Sequence, residues 1–125
     1  MKILESAENY LEAVYVLNKE KGQVRAIDIV HHLGFSKPIV SIAMKQLETN
    51  GYITRNDEGH ISLTEDGLEI AVSVVERHDI LTKLFLAIGV SEETAKSDAC
   101  KVEHHISQET FECLREKIDV IKNSL

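Results

Sequence analysis

The sequence lacks any run of about 18 uninterrupted apolar residues, so no segment is expected to cross a membrane and no membrane partner is expected. Two cysteines in 125 residues do not make a disulfide framework, and a reducing cytoplasm is the expected setting. Proline- or serine-rich linkers, internal repeats and low-complexity segments are missing. The opening Met1-Lys2-Ile3-Leu4-Glu5 has neither a long apolar run nor a cleavage pattern, so no signal peptide is expected. There is no glycine-rich phosphate loop, no His-Glu-x-x-His motif and no evident nucleophile with an oriented base, which argues against an enzyme.

What is present is enough for a folded core. A chain of 125 residues that is 43% hydrophobic is not globally disordered, and it suits one domain or two small pieces sharing a core. The net charge of −7 at first argues against a nucleic-acid partner. Its distribution changes that reading. Residues 1–64 carry seven Lys/Arg against eight Asp/Glu, while residues 65–125 carry seven against thirteen. Between Gly34 and Leu47 the only charges are Lys37 and Lys45. Phosphate contacts depend on the local field, so the first half remains a candidate for DNA.

Helical periodicity dominates. Ala7, Leu11, Val14 and Leu17 form one apolar stripe from Glu5 to Asn18. A short helix follows over Ala26–Leu33, stopped by Gly34. Ser36 is a plausible N-cap, with Lys37-Pro38 in the first turn of a helix that reaches about Asn50. Then the period shortens. Gly51–Arg55 and His60–Leu63 read as two strands joined by the turn Asn56-Asp57-Glu58-Gly59. Thr64 caps a long helix to about Ile88, with a seam expected at Leu68, Ala71, Val75, Leu81 and Phe85. Ser91 caps a helix expected to reach about His105, and Ser107 caps the last, to about Ile121.

Three helices followed by a hairpin is the order of a winged helix. The second and third helices form its helix-turn-helix, and the third is placed to enter the major groove. Lys37, Ser41 and Lys45 share one face, while Val40, Ala43 and Leu47 point inward. Ser36, Lys37, Pro38, Ser41, Ile42 and Lys45 are the candidate contacts of that helix, with Ile42 suited to a thymine methyl. Arg55 and His60 flank the hairpin tip as candidate backbone or minor-groove contacts. Each also has an ordinary reading: a solvated lysine, a serine that only caps, an isoleucine that packs on the wing.

The acidic half offers metal donors. Cys100, Glu103 and His104 stand at i, i+3 and i+4, so thiolate, carboxylate and imidazole project from one face of the expected helix. His78 lies on the long helix among apolar neighbours, and Glu8, Asn9 and Glu12 sit on the first. A free cysteine is equally a small core residue, and a seam histidine equally a hydrogen-bonded one.

Together these residues resemble the diphtheria toxin repressor and manganese transport regulator family of metal-dependent bacterial repressors. The likeness runs through Glu8-Asn9-Tyr10-Leu11-Glu12-Ala13-Val14-Tyr15 and Ser36-Lys37-Pro38-Ile39-Val40-Ser41. It continues in Gly51-Tyr52-Ile53, Leu63-Thr64-Glu65-Asp66-Gly67 and Arg77-His78-Asp79-Ile80-Leu81. Its most specific block is Cys100-Lys101-Val102-Glu103-His104-His105-Ile106-Ser107.

The resemblance implies a homodimer on a palindromic double-stranded operator, with metal ligands at Asn9, Glu12, His78, Cys100, Glu103 and His104. In the manganese branch an aspartate stands where this chain has Asn9, and a glutamate where it has Cys100. In the iron branch a methionine stands at Asn9, and Cys100, Glu103 and His104 match. That branch's ancillary site falls here on Thr82 and Lys96, which cannot serve as its ligands. The chain is expected to be a short form without an SH3-like domain. It is thus a hybrid, and its cofactor is expected to be Mn(II) or Fe(II), with Co(II), Ni(II) or Zn(II) also accepted by a thiolate site.

The expected fold is mainly α: a winged helix-turn-helix over residues 1–70, then an all-helical dimerisation and metal-binding domain over 71–125. The expected function is a cytoplasmic metal-dependent repressor of manganese or iron homeostasis. The alternative is a winged-helix repressor without a functional metal site that answers to another ligand. It predicts that Cys100, Glu103 and His104 point into the core or fail to converge with His78.

Overall fold

The computed structural model describes residues 5–125; Met1-Lys2-Ile3-Leu4, read above for a signal peptide, lies outside them. The order is α1 (Glu5–Lys21), α2 (Ala26–Leu33), α3 (Lys37–Thr49), β1 (Ile53–Arg55), β2 (Ile61–Leu63), α4 (Glu65–Ala87), α5 (Glu92–Val102) and α6 (Gln108–Ser124). The chain divides into two compact units, one ending at Val72 and one spanning Ser73–Leu125.

In the first unit α1 buries Tyr10, Leu11, Ala13, Val14 and Leu17, a stripe at helical spacing. Gly34 closes α2 in the left-handed region, φ 73°, with its N–H donating to the Val30 carbonyl at 2.9 Å. Two residues on, the Ser36 hydroxyl accepts from the Ile39 N–H, and α3 starts with Pro38 in its first turn. Helix α3 buries Val40, Met44 and Leu47; Met44 takes the deep position expected of Ala43, which is half-buried.

The hairpin pairs antiparallel with Ile53 opposite Leu63 and Arg55 opposite Ile61. Asn56 shapes its turn, its Oδ1 accepting from the N–H groups of Glu58 and His60 at 3.0 and 2.9 Å. The N–H of Ile61 also donates to the Val24 carbonyl at 2.7 Å. This one-residue bridge fastens the wing to the segment between α1 and α2. A single residue carries no period, so nothing in the sequence announced it.

The seam of α4 sits one residue from the expected register at its start. Leu68 is exposed, and the covered line runs Gly67, Ala71, Val74 and Leu81, with His78 half-buried on it. The steps of four, three, four and three residues are those of a heptad seam. In the second unit the Ser91 and Ser107 hydroxyls cap α5 and α6 by accepting from the N–H groups of Thr94 and Thr110. Val74, Leu81, Ala95, Ala99, Phe111 and Ile118 are buried there. Helix α5 ends at Val102, short of the expected His105.

Candidate metal centre and nucleic-acid interface

Glu103 is the C-cap of α5, still in the right-handed helical region, with its N–H donating to the Ala99 carbonyl at 2.9 Å. It therefore keeps its place one turn beyond Cys100 although the helix has ended. His104 and His105 lie in the turn that follows, where the N–H of His105 closes on the Val102 carbonyl at 2.9 Å. The expected projection of three donors from one helix face holds for Cys100 and Glu103, while His104 is carried by that turn.

His78, from the middle of α4, completes a cluster. One ligand atom each from His78, Cys100 and Glu103 lies within 4.8 Å of the others. His78 Nδ1 stands 2.9 Å from Glu103 Oε2 and 3.7 Å from Cys100 Sγ. Two ligands on one four-coordinate zinc-like ion stand about 3.5 Å apart, close to the His78–Cys100 spacing, while His78 and Glu103 are in direct hydrogen-bond contact. Glu103 is only 1% exposed, and its second oxygen, Oε1, is buried without a hydrogen bond. His104 Nε2 lies 3.3 Å from that oxygen.

A buried carboxylate with a spare lone pair, a thiol and an imidazole fit a borderline divalent transition metal. Binding would require the thiol to be deprotonated and the imidazole neutral, so it would release protons. Thr82 occupies its hydroxyl by donating to the His78 carbonyl at 2.7 Å. Asn9 and Glu12 lie half-buried on α1 in the first unit.

The candidate DNA residues occupy the outer face of α3 and the hairpin. Lys37, Pro38, Ser41 and Lys45 are exposed, and Ile42 is 60% exposed, with Ile39 at 55% beside it. The hydroxyl of Ser36 is engaged as the helix cap, which leaves its own O–H to donate. Arg55 binds Glu48 of α3 at 2.9 Å, and the guanidinium holds that carboxyl below the usual range. The pair cancels the one acidic side chain of α3, so the face left to solvent carries Lys37 and Lys45. His60 is folded into the turn, its Nδ1 3.4 Å from Glu58 Oε2 and 3.4 Å from Asn56 Nδ2.

A family model described as the iron dependent repressor N-terminal DNA binding domain matches residues 2–61. The iron dependent repressor metal binding and dimerisation domain matches residues 64–124. The chain belongs to the iron-dependent repressor family. The transcriptional regulator MntR of Escherichia coli O6:H1 is 37% identical over 111 residues, 89% of this chain and 72% of that protein. An uncharacterized HTH-type transcriptional regulator of Methanocaldococcus jannaschii is 32% identical over 97% of this chain and 98% of its own length. Among solved structures, a manganese-dependent transcriptional repressor in complex with manganese superimposes with a TM-score of 0.82 at 21% identity. It shares the fold over 90% of this chain, which spans about half the length, 52%, of that one.

Within this iron-dependent repressor chain, Arg77 carries contacts to which the sequence reading gave no role. Its Nη1 donates to the carbonyls of Ile106 at 2.7 Å and Glu103 at 3.4 Å, and its Nη2 to Gln108 Oε1 at 2.7 Å. The signal was its place one position before a candidate ligand.

Proposed function

We propose that the chain is a cytoplasmic, metal-dependent transcriptional repressor of manganese or iron homeostasis, active as a homodimer on a palindromic operator. Residues 1–70 bind DNA through Ser36, Lys37, Pro38, Ser41, Ile42 and Lys45, with Arg55 and His60 at the wing. Residues 71–125 bind metal and dimerise. The observation that carries this reading is the convergence of His78, Cys100 and Glu103, which a metal-free winged helix has no reason to assemble. Asn9, Glu12 and His104 are proposed as further ligands on the strength of the family pattern. It is a regulator and runs no reaction of its own.

The chain's residues do most of the work. Glu103 places a carboxylate beside the Cys100 thiol, and His78 orients that carboxylate. A bound divalent cation supplies the positive charge that neutralises this cluster. Ligands drawn from α1 as well as α4 and α5 then restrict the winged helices to fewer orientations. DNA binding meets less of the ordering cost, and affinity rises. By linkage, DNA tightens metal binding by the same factor.

Dimerisation is supported by Leu86, Ile88 and Val102, apolar side chains that are 43%, 59% and 37% exposed in the second unit. A two-fold dimer would present two recognition helices to successive half-sites. No helix among the described residues is long and apolar enough to cross a membrane.

The test is anisotropy of a labelled duplex selected from a random pool, titrated anaerobically with Mn(II), Fe(II) and Co(II). Affinity should rise with at least one metal and fall again with chelator. Affinity indifferent to all three overturns metal dependence and leaves the metal-free repressor. A single-chain mass on sizing at micromolar concentration overturns the dimer.

A further inference from the structure

Glu103 sits where α5 stops, so its carboxylate is aimed by the turn that follows rather than by a continuing helix. Arg77 bonds both ends of that turn: its Nη1 donates to the carbonyl of Glu103, the C-cap of α5, and to that of Ile106, just before the Ser107 cap of α6, while its Nη2 donates to the side-chain Oε1 of Gln108, the first residue of α6. The guanidinium is 5.4 Å from the centre of the Phe111 ring, a buried side chain of α6. Among the described residues no carboxylate forms an ion pair with Arg77, and its buried Nε has no hydrogen-bond partner. Two of these three bonds go to backbone carbonyls, one of them at the partially negative end of α5. Its neighbour in α4 is His78, whose Nδ1 meets Glu103 Oε2.

We infer that Arg77 is the positioning residue of the metal centre. One turn of α4 supplies both His78, which touches the Glu103 carboxylate, and Arg77, which holds the Glu103 carbonyl. The side chain and the backbone of Glu103 are thereby referenced to the same helix, and so are the turn carrying His104 and the start of α6. Arg77 touches no ligand atom itself; it acts through where Glu103 and His104 stand. This rests on the metal-centre reading above.

Co(II) added to the full chain is the probe, because its thiolate charge-transfer band reports Cys100 and its ligand-field bands report coordination geometry. Arg77→Met keeps the apolar stem and removes every donor. Its Co(II) affinity should fall about 10- to 100-fold, as for other groups that orient ligands. At saturation the thiolate band should persist while the ligand-field bands move. Arg77→Lys, which reaches one carbonyl at most, should fall between, and Gln108→Ala should lose several-fold.

Unchanged affinity and unchanged ligand-field bands in a folded Arg77→Met chain overturn the inference. So does a loss of affinity in Phe111→Leu equal to that in Arg77→Met, since packing alone would then explain both. Should Arg77→Met not fold, the graded losses in Arg77→Lys and Gln108→Ala decide, and wild-type affinity in both overturns it. A wild-type chain with no thiolate band on adding Co(II) overturns the metal-centre reading itself, and this inference with it.

Discussion

His78 Nδ1 lies 2.9 Å from Glu103 Oε2, and Glu103 is a charged side chain with 1% of its surface exposed. A buried carboxylate beside two histidines is an expensive feature for stability alone, because desolvation offsets much of the attraction. Glu103→Gln separates the two roles. The amide keeps the shape and a hydrogen bond to His78 but loses the charge. In chelator its unfolding free energy should lie within about 1 kcal/mol of wild type or above it. With Co(II) present, wild type should gain stability in proportion to ligand binding and the variant should not. Paired thermal melts with and without metal measure this; equal gains would remove Glu103 from the ligand set.

Cys100 is exposed near the end of α5, 3.7 Å from His78 Nδ1. Its thiolate favours the softer members of the divalent series. Cys100→Glu places a hard oxygen one turn from Glu103. Competition titrations should then show Mn(II) gaining on Co(II) and Zn(II), while the melting temperature in chelator stays within the effect of an ordinary surface change, about 0.5 kcal/mol. An unaltered order of metal affinities would mean that Cys100 does not ligate.

How much of this was legible follows from which signals are local. Ser36, Ser91 and Ser107 cap their helices by bonds to the N–H three residues on, and Gly34 stops α2 by its own φ, so those boundaries are written in short stretches of sequence. Helix α5 has no such stop. No glycine or proline follows Val102, and the guanidinium that bonds the Glu103 carbonyl comes from Arg77, 26 residues away, which periodicity cannot register. The metal cluster divides in the same manner. Cys100 and Glu103 share one helical turn and are readable from spacing. His78 stands 22 residues before Cys100 and 25 before Glu103, so its approach depends on how α4 and α5 pack; the sequence offered it as a histidine among apolar neighbours, and the family likeness joined it to the cluster. The register of α4 was misread because Leu68 is the more hydrophobic residue, yet backbone crowding puts Gly67 inward.

Gly67 makes that crowding testable. A Cβ built there collides with the Tyr52 carbonyl oxygen, which also accepts from the Thr64 N–H at 3.0 Å. On helix propensity alone, Gly→Ala inside a helix should stabilise by up to about 1 kcal/mol. Steric displacement of the hairpin from α4 should outweigh this, with a net cost of roughly 1–3 kcal/mol. Denaturant unfolding of Gly67→Ala checks the sign; a variant more stable than wild type would show that the hairpin yields freely.

The amino-terminal end of α2 gives a pH test. The Asp28 carboxylate accepts from the Lys21 ammonium and from the backbone N–H of Arg25, and these hold its pKa below the model-peptide value of 3.8. A carboxyl depressed in the folded state contributes stability above its unfolded pKa and loses it as pH falls through the folded one. Asp28→Asn should therefore be less stable than wild type at neutral pH, and the gap should close below about pH 3.8. A gap that is constant from pH 7 to 3 would assign the effect to the cap's shape rather than to its charge.

Ile42 stands 60% exposed on a helix face whose other side chains include Lys37, Ser41 and Lys45. A solvent-facing isoleucine between two lysines is poorly explained by the fold, since Val40, Met44 and Leu47 already fill the core. In a major groove its partner would be the 5-methyl of thymine. Replacing thymine by deoxyuridine removes that methyl and leaves the base pair intact. At about 0.8 kcal/mol per buried carbon, one contacted thymine should cost wild type about fourfold in affinity. Ile42→Ala should bind more weakly overall and lose that sensitivity, so thymine and deoxyuridine duplexes become equivalent. A cycle over the two proteins and two duplexes isolates the pair. Equal losses for both proteins would mean that Ile42 does not meet the methyl.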